Sequence, residues 1–447
     1  LRALVIAYHV YPDPAVGAKR VSELANYLAG NGWAIDIICA EPGVSDSLGS
    51  LRSGVMRFGI VQPRSLVLQL LDIVRRLRSF VSPVRRELIA APGAVTSGAE
   101  KGGLRSRLER IESGYHQLVG LCDDCKRWSS MAWRQALRLP NHPDLIFASG
   151  PPWSPVVAAW LVARLHKVPL VIDLRDPWAQ VDTAGQGGVI SRLQNAVMTR
   201  LERRVVGTAA AVVVTTGRLR QQLQNRYRSK TESIFLLRNG FDSGMLITEP
   251  MPTGKLALLF AGTVYFHRNP LPLLDGLAEL LANPAVDRAR VSLKLVGDCA
   301  TYAGVPLTWH IAQRGLGDVV MVDGLVTGAR VRELTTDANV IVNFAQGQRD
   351  QVPAKLYEQI ASGRYGLLFA EPDSESAVLS AGVGSIRRVD DDVVQVRAEL
   401  QRLYDLLVTD GVNAARLHPP AVDLEPFRRE VVNAAYARLI QQVCADQ

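Results

Sequence analysis

No run of 18 apolar residues occurs in the 447-residue chain; the nearest, Val156 to Ile172, is broken by Arg164, His166 and Lys167. A membrane-spanning helix is therefore not expected. Cysteine is sparse and odd in number, with Cys39, Cys122, Cys125, Cys299 and Cys444, which argues against a disulfide framework and for a reducing compartment. Cys122 and Cys125 form a C-D-D-C pair, but no second CxxC or paired histidine follows. Zinc binding is less favoured than two unrelated thiols on a helix. Neither a GxxxxGK[ST] loop nor a GxGxxG fingerprint is present, so two common phosphate-binding signatures are excluded. Aromatics make up 6% of the chain and are not interleaved with basic residues. A nucleic-acid stacking platform is accordingly the least favoured reading. No leader pattern precedes the first strand pattern, so a cytoplasmic protein is expected.

What is abundant is positive charge, a net +8 from 51 Lys/Arg against 43 Asp/Glu. It is localised. Residues 1–50 carry −2, residues 51–138 carry +9, and the remainder +1. Such a distribution predicts a basic insertion at about 51–138. Within it, Leu66, Val67, Leu70, Leu71, Ile73, Val74, Leu77 and Val81 recur at helical spacing, with Arg75, Arg76, Arg78, Arg85 and Arg86 at one end. An apolar stripe flanked by arginine fits an interfacial helix on an anionic membrane over 64–86, and equally a core helix with a charged side. The Gly/Ala/Ser-rich stretch 91–103 reads as a loop.

Elsewhere strand and helix patterns alternate. Ala3–Tyr8 is a continuous apolar run of the kind buried on both faces of a parallel sheet, and Arg20–Ala29 has helical spacing. Further pairs follow to Ser233–Leu237, the turn Arg238–Asp242, and a second series from Leu256 to Ala370 that ends in helical patterns. Two doubly wound α/β domains are expected, 1–240 and 241–415, with a terminal helix in 416–447 packing back on the first.

Three loops at strand C-termini carry the candidate chemistry. In His9–Arg20 (HVYPDPAVGAKR), Gly17 precedes a helix and allows close backbone approach. In Gly262–Pro270 (GTVYFHRNP), a small residue is followed by Arg268, suited to gripping a diphosphate. In Asp350–Gly363 (DQVPAKLYEQIASG), Pro353 fits the first turn of a helix. Lys355 then stands where a cation opposes the helix dipole, a conflict relieved by a bound anion or by a plain Lys355–Glu358 surface pair.

These features together resemble glycosyltransferase family 4: Asp350 and Glu358 as acid-x7-acid, the P-A-K-L-Y-E-Q-I-A-S-G-R run, the A-G-T strand end with Arg268 downstream, and R-N-G-F-D. The Y-P-D-P-A-V-G-A-K-R loop, S-G-P-P at Ser149–Pro152 and D-L-R-D-P-W at Asp173–Trp178 resemble its bacterial surface-polysaccharide branch. The resemblance implies an α/β GT-B fold, two Rossmann-like domains facing a central cleft, and retaining transfer from a nucleotide sugar. It implies that Glu358 holds the ribose hydroxyls, that Asp350 lies near the sugar hydroxyls, and that Arg268 and Lys355 face the diphosphate. Gly17, Gly262, Thr263, Gly297, Asp323, Gly324, Val352, Pro353 and Leu356 would line the donor. His9, Asp13, Ser149, Trp153, Asp173, Arg175 and Asp176 are the acceptor-side candidates. Departures exist: Asp350 replaces the usual glutamate, Asn269-Pro270-Leu271 supplies no second base, and Ser149–Trp153 lacks the histidine many members carry. No cofactor and no metal is expected, since the sequence offers no convincing Asp-x-Asp motif. The acceptor expected is lipid-linked or an envelope glycan, on the inner face of the plasma membrane. A soluble acceptor, or a non-catalytic sugar-nucleotide scaffold, are the alternatives.

Overall fold

A computed structural model describes residues 1–13, 15–41, 50–62, 123–179, 189–265, 267–409 and 423–446. The helix expected over 64–86, whether interfacial or core, the loop at 91–103 and Cys122 lie outside the described residues. Two parallel sheets organise the chain.

The first sheet contains β1 (Arg2–Ile6), β2 (Ala34–Ala40), β3 (Val55–Ile60), β4 (Leu145–Gly150), β5 (Leu170–Leu174), β6 (Ala211–Val214) and β7 (Ile234–Leu236). Its order is β3-β2-β1-β4-β5-β6-β7. Helices α1 (Val16–Gly30), α2 (Lys126–Ala136), α3 (Ser154–His166), α4 (Val189–Thr208) and α5 (Gly217–Arg226) connect the strands. Strands β4 and β5 are buried along their whole length, as expected of central parallel strands covered on both faces. The order reverses between β1 and β4, so the loops after those strands, His9–Ala15 and Pro151–Trp153, share the switch point where such sheets leave a crevice.

The second sheet contains β8 (Leu256–Ala261), β9 (Val291–Val296), β12 (Val320–Asp323), β13 (Val340–Phe344), β14 (Tyr365–Phe369) and β15 (Ile386–Val389), in the order β12-β9-β8-β13-β14-β15. A short antiparallel hairpin, β10 (Thr301–Tyr302) and β11 (Val305–Pro306), follows β9. The helices here are α6 (Leu271–Leu281), α7 (Leu307–Gln313), α8 (Gly328–Asp337), α9 (Ala354–Ser362), α10 (Glu375–Ala381), α11 (Val393–Tyr404) and α12 (Arg429–Ala445). Phe260, Phe344 and Phe369 pack in sequence as tilted ring pairs across β8, β13 and β14, with centroids 4.8 and 5.1 Å apart. This ladder pins the register of the three central strands. The switch point lies between β8 and β13, whose following loops carry Gly262–Pro270 and Asp350–Pro353.

The chain divides into two compact units, Leu1–Asp173 with Trp178–Ala210, and Leu174–Pro177 with Ala211–Gln447. By sheet membership the changeover falls between Leu236 and Leu256, around residue 240; by compactness β6 and β7 group with the second unit. Helix α12 also belongs to the second unit. The segment before it is stitched to the Arg238–Asp242 turn. Phe241 N donates to Phe427 O at 2.9 Å, Arg429 N donates to Phe241 O at 2.9 Å, and the Arg429 guanidinium bonds Asp242. A Cβ at Gly240 would lie 2.5 Å from the Phe427 carbonyl oxygen, which accounts for the glycine.

The basic stretch at 51–138 is not wholly an insertion. It opens with edge strand β3, paired in parallel with β2, and closes with α2, whose Trp128 is fully buried. Strand β3 escapes the sequence pattern because its burial is patchy; Met56 is exposed. Strand β15 escapes it because two of its four residues are arginine.

Candidate functional site

The donor-side candidates other than Gly17, which belongs to the first unit, lie on the elements around the second switch point. The ends of β8, β9 and β12 converge through their backbones. Gly262 N donates to Val296 O at 2.9 Å, and Gly297 N donates to Asp323 O at 3.2 Å and Gly324 O at 3.1 Å. Gly297 has φ +116°, and a Cβ there would stand 2.2 Å from Gly262 O. Only glycine meets both demands. Gly262, Thr263, Gly297, Asp323 and Gly324 thus form one backbone-lined surface.

Arg268 lies over it. Its Nη1 donates to Thr263 O at 3.1 Å, and its guanidinium carbon is 4.5 Å from the Tyr265 ring centroid. Among the described residues no carboxylate pairs with it, and its buried Nε has no hydrogen-bond partner. Burial holds the Arg268 pKa below the ordinary arginine value. A half-buried cation with a spare donor is an anion site in electrostatic terms.

The third loop divides its candidates. Pro353 is the residue capping α9 rather than a member of its first turn, so Lys355 is the second helical residue. Lys355 Nζ donates to Glu358 Oε2 at 2.9 Å. The plain surface pair is therefore realised, with Lys355 half exposed and Glu358 largely covered. Both line a pocket with Met245, Ala261, Val331, Thr335 and Ile341. Val352 and Leu356 point into the core against Tyr357 and Ile360. Gln359, on the inner side of α9, reaches Asn343 and donates to Ile341 O at 3.3 Å, which locks the helix to β13.

Asp350 is held from another direction. Arg218 Nε lies 2.7 Å from its Oδ1, Gln222 Nε2 donates to its Oδ2 at 3.2 Å, and Thr216 Oγ1 donates to its carbonyl at 2.8 Å. Glu375 accepts from the Arg218 backbone N–H at the start of α5. Sequence reasoning missed Arg218, although the signal was present. Like Lys355, it is a cation in the first turn of a helix, where the dipole disfavours it.

In the first unit, His9 Nδ1 is 2.8 Å from Asp13 Oδ2, and Asp13 Oδ1 accepts from Ala15 N at 2.8 Å just ahead of α1, in whose first turn Gly17 is buried. Asp173 is fully buried, bonded by Arg20 Nε and Nη2 at 3.1 Å and by Ser149 Oγ at 2.9 Å. Ser149 and Asp173 are thus tied together in the wall of this unit. Trp153 stacks on Trp178 with centroids 5.1 Å apart and planes 6° from parallel. In the second unit, the Arg175 carbonyl accepts from Thr215 Oγ1 at 2.9 Å. No group of three or more His, Cys, Asp or Glu that could hold a metal occurs among the described residues.

A family model described as glycosyl transferase 4-like domain matches residues 17–240, half of the 447. The chain belongs to the glycosyl transferase 4-like family. No curated protein matches it. Solved structures show the same GT-B fold over nearly the whole length. Trehalose 6-phosphate synthase from Burkholderia multivorans aligns with TM-score 0.61 and 15% identity, covering 100% of this chain and 97% of that one. HepE from Anabaena in complex with UDP aligns at 0.58 and 14%, covering 99% and 100%. WaaG, a glycosyltransferase involved in lipopolysaccharide biosynthesis, aligns at 0.57 and 15%, covering 98% and 99%. Family membership rests on the model match to 17–240, and the fold on these alignments together with the two sheets.

Proposed function

We propose that the chain is a retaining glycosyltransferase that moves a sugar from a nucleoside-diphosphate sugar to a lipid-linked or envelope-glycan acceptor. The observation that carries the donor half is Arg268, a half-buried cation with no carboxylate partner among the described residues, above glycine-lined strand ends. The UDP bound to HepE supports the same ligand class. WaaG's part in lipopolysaccharide biosynthesis supports an envelope acceptor. In this reading the ribose hydroxyls bond Glu358, and Lys355 turns from it toward the diphosphate. Asp350 bonds a sugar hydroxyl. As the glycosidic C–O bond breaks, its electron pair goes to the diphosphate, whose charge Arg268 and Lys355 neutralise. The acceptor hydroxyl attacks the same face and gives its proton to the departing phosphate oxygen. Preorganised cations can do this without a metal, and metal independence is part of the proposal.

A thermal-shift panel of UDP-, GDP-, ADP-, dTDP- and CMP-sugars tests the donor site. A ligand at a hundred times its Kd stabilises the native state by about 2.7 kcal/mol. One base series should raise the midpoint, and Arg268→Ala should abolish the rise. No rise with any of them overturns the reading.

A further inference from the structure

Helices α2, α3 and α4 are side by side in the first unit. Ser129 Oγ of α2 donates to Ser154 Oγ of α3 at 2.9 Å, and Trp160 Nε1 of α3 donates to Thr208 Oγ1 of α4 at 2.7 Å. Their combined sequence holds one carboxylate, Glu202, which is 1% exposed and accepts from Ala179 N at 2.7 Å. The three helices therefore offer solvent no negative side chain. Asp123 and Asp124 stand before the first turn of α2, where Asp123 accepts from Ser154 N.

Cations and large apolar side chains occupy the outward positions instead. Helix α2 and the turn after it expose Arg134 and Arg138 beside Met131 and Leu137. Helix α3 exposes Leu161, Arg164 and Leu165, one helical face, with Arg164 over the Trp160 ring at 5.3 Å. Helix α4 exposes Arg200, Arg203 and Arg204, and Leu193 at 62%. Among the described residues no carboxylate pairs with any of these arginines. An ordinary solvent-facing helix interleaves both signs.

We propose that the outward faces of α2, α3 and α4 form a docking surface for an anionic lipid bilayer. Phosphate headgroups attract these exposed arginines within a Debye length. The exposed leucines then enter the boundary between headgroups and acyl chains. A nucleic acid would use the arginines but gain nothing from Leu161 and Leu165, which favours the bilayer. The inference deepens the acceptor side of the transferase reading and rests on its membrane-linked acceptor, but it is tested without any donor, so its failure leaves the donor site standing.

The test is cosedimentation of the full chain with phosphatidylcholine vesicles, with and without phosphatidylglycerol, at low and high salt. The wild type should bind only the phosphatidylglycerol vesicles, and less at high salt. Arg134→Gln with Arg138→Gln should weaken binding about 25-fold, at roughly fivefold per cation. Leu161→Ser with Leu165→Ser should remove the part that survives high salt. Arg200→Gln with Arg203→Gln repeats the charge test on another helix should the first pair fail to fold. Equal binding to both vesicle types, or undiminished binding by the charge variants, overturns the surface; the latter assigns the contact elsewhere, since 64–86 is untouched. Retention by mixed-sequence duplex DNA without vesicle binding also overturns it.

Discussion

Arg218 Nε and Asp350 Oδ1 stand 2.7 Å apart, an ion pair joining the start of α5 to the loop that follows β13. Asp350 is the shorter acid where the family usually carries glutamate, and here its carboxylate is oriented by Arg218 and Gln222 before any donor arrives. A part-exposed pair of this kind is worth at most about 1 kcal/mol. Arg218→Gln should therefore lower kcat/KM less than about tenfold, at 1.4 kcal/mol per decade. Asp350→Asn should lower it more, because the proposed sugar contact goes with the charge. Steady-state kinetics with the donor found in the thermal-shift panel decide the order; a larger loss for Arg218→Gln would remove Asp350 from the sugar.

The proposed function gives Glu358 a part in binding rather than folding. Glu358→Ala should abolish transfer while leaving the unliganded thermal midpoint unchanged. Glu358→Gln keeps the size and loses the charge. A hydrogen bond to a charged group contributes about 1.5–3 kcal/mol, so donor affinity measured by calorimetry should fall at least tenfold. Full activity in the alanine variant would falsify the assignment.

The buried Arg20–Asp173 pair predicts the opposite pattern. Asp173 is inaccessible and Arg20 is 6% exposed. Removing one partner strands a buried charge at about 3–5 kcal/mol. Arg20→Met should shift the urea midpoint strongly, and adding Asp173→Leu should recover most of the loss. Independent, additive losses would show that the two charges do not depend on each other.

Gly297→Ala places a methyl group against the Gly262 carbonyl oxygen, at φ +116°. Backbone strain of this sort costs about 1–3 kcal/mol. The melting temperature should drop and nucleotide binding should fall with it, since the proposed donor site rests on the same strand ends. Gly304→Ala, also at positive φ but with open space around it, serves as the control for conformation alone.

Alkaline stability should depend on Cys125. Burial, then the charges of Asp123 and Asp124, push its thiol up from 9.0 to about 12, and burial followed by the Cys125 charge pushes Tyr8 up to about 12. Both groups are raised, so both favour the protonated folded state. Their contribution is complete below pH 9 and is lost as pH climbs toward about 12. Cys125→Ala should flatten the fall in unfolding free energy over that interval.

The central strands and their loops were legible from the sequence because parallel strands buried on both faces read as continuous apolar runs, as in β1, β4 and β13. Edge elements were not. Strand β3 exposes Met56 and β15 carries two arginines, so neither shows a period. Glu358 and Arg268 are candidates from spacing and resemblance alone. Arg218 and Gln222 are not: a cation in the first turn of α5 marks Arg218 as unusual, but nothing local in GRLRQQ names the partner as Asp350, 132 and 128 positions away. The Arg20–Asp173 pair was equally hidden, since neither partner's burial can be inferred from its own neighbours.

The Trp153–Trp178 stack has a spectroscopic consequence. Six of the seven tryptophans, Trp33, Trp128, Trp133, Trp153, Trp160 and Trp178, belong to the first unit, and the seventh, Trp309, is 53% exposed. Indole emission on unfolding therefore reports almost entirely on the first unit. The rings of Trp153 and Trp178, 5.1 Å apart between centroids, are close enough for their transitions to couple, and that coupling in the near-ultraviolet circular dichroism is lost when the first unit melts. Melting of the second unit is nearly silent in both signals, so they follow the first unit by itself without a label.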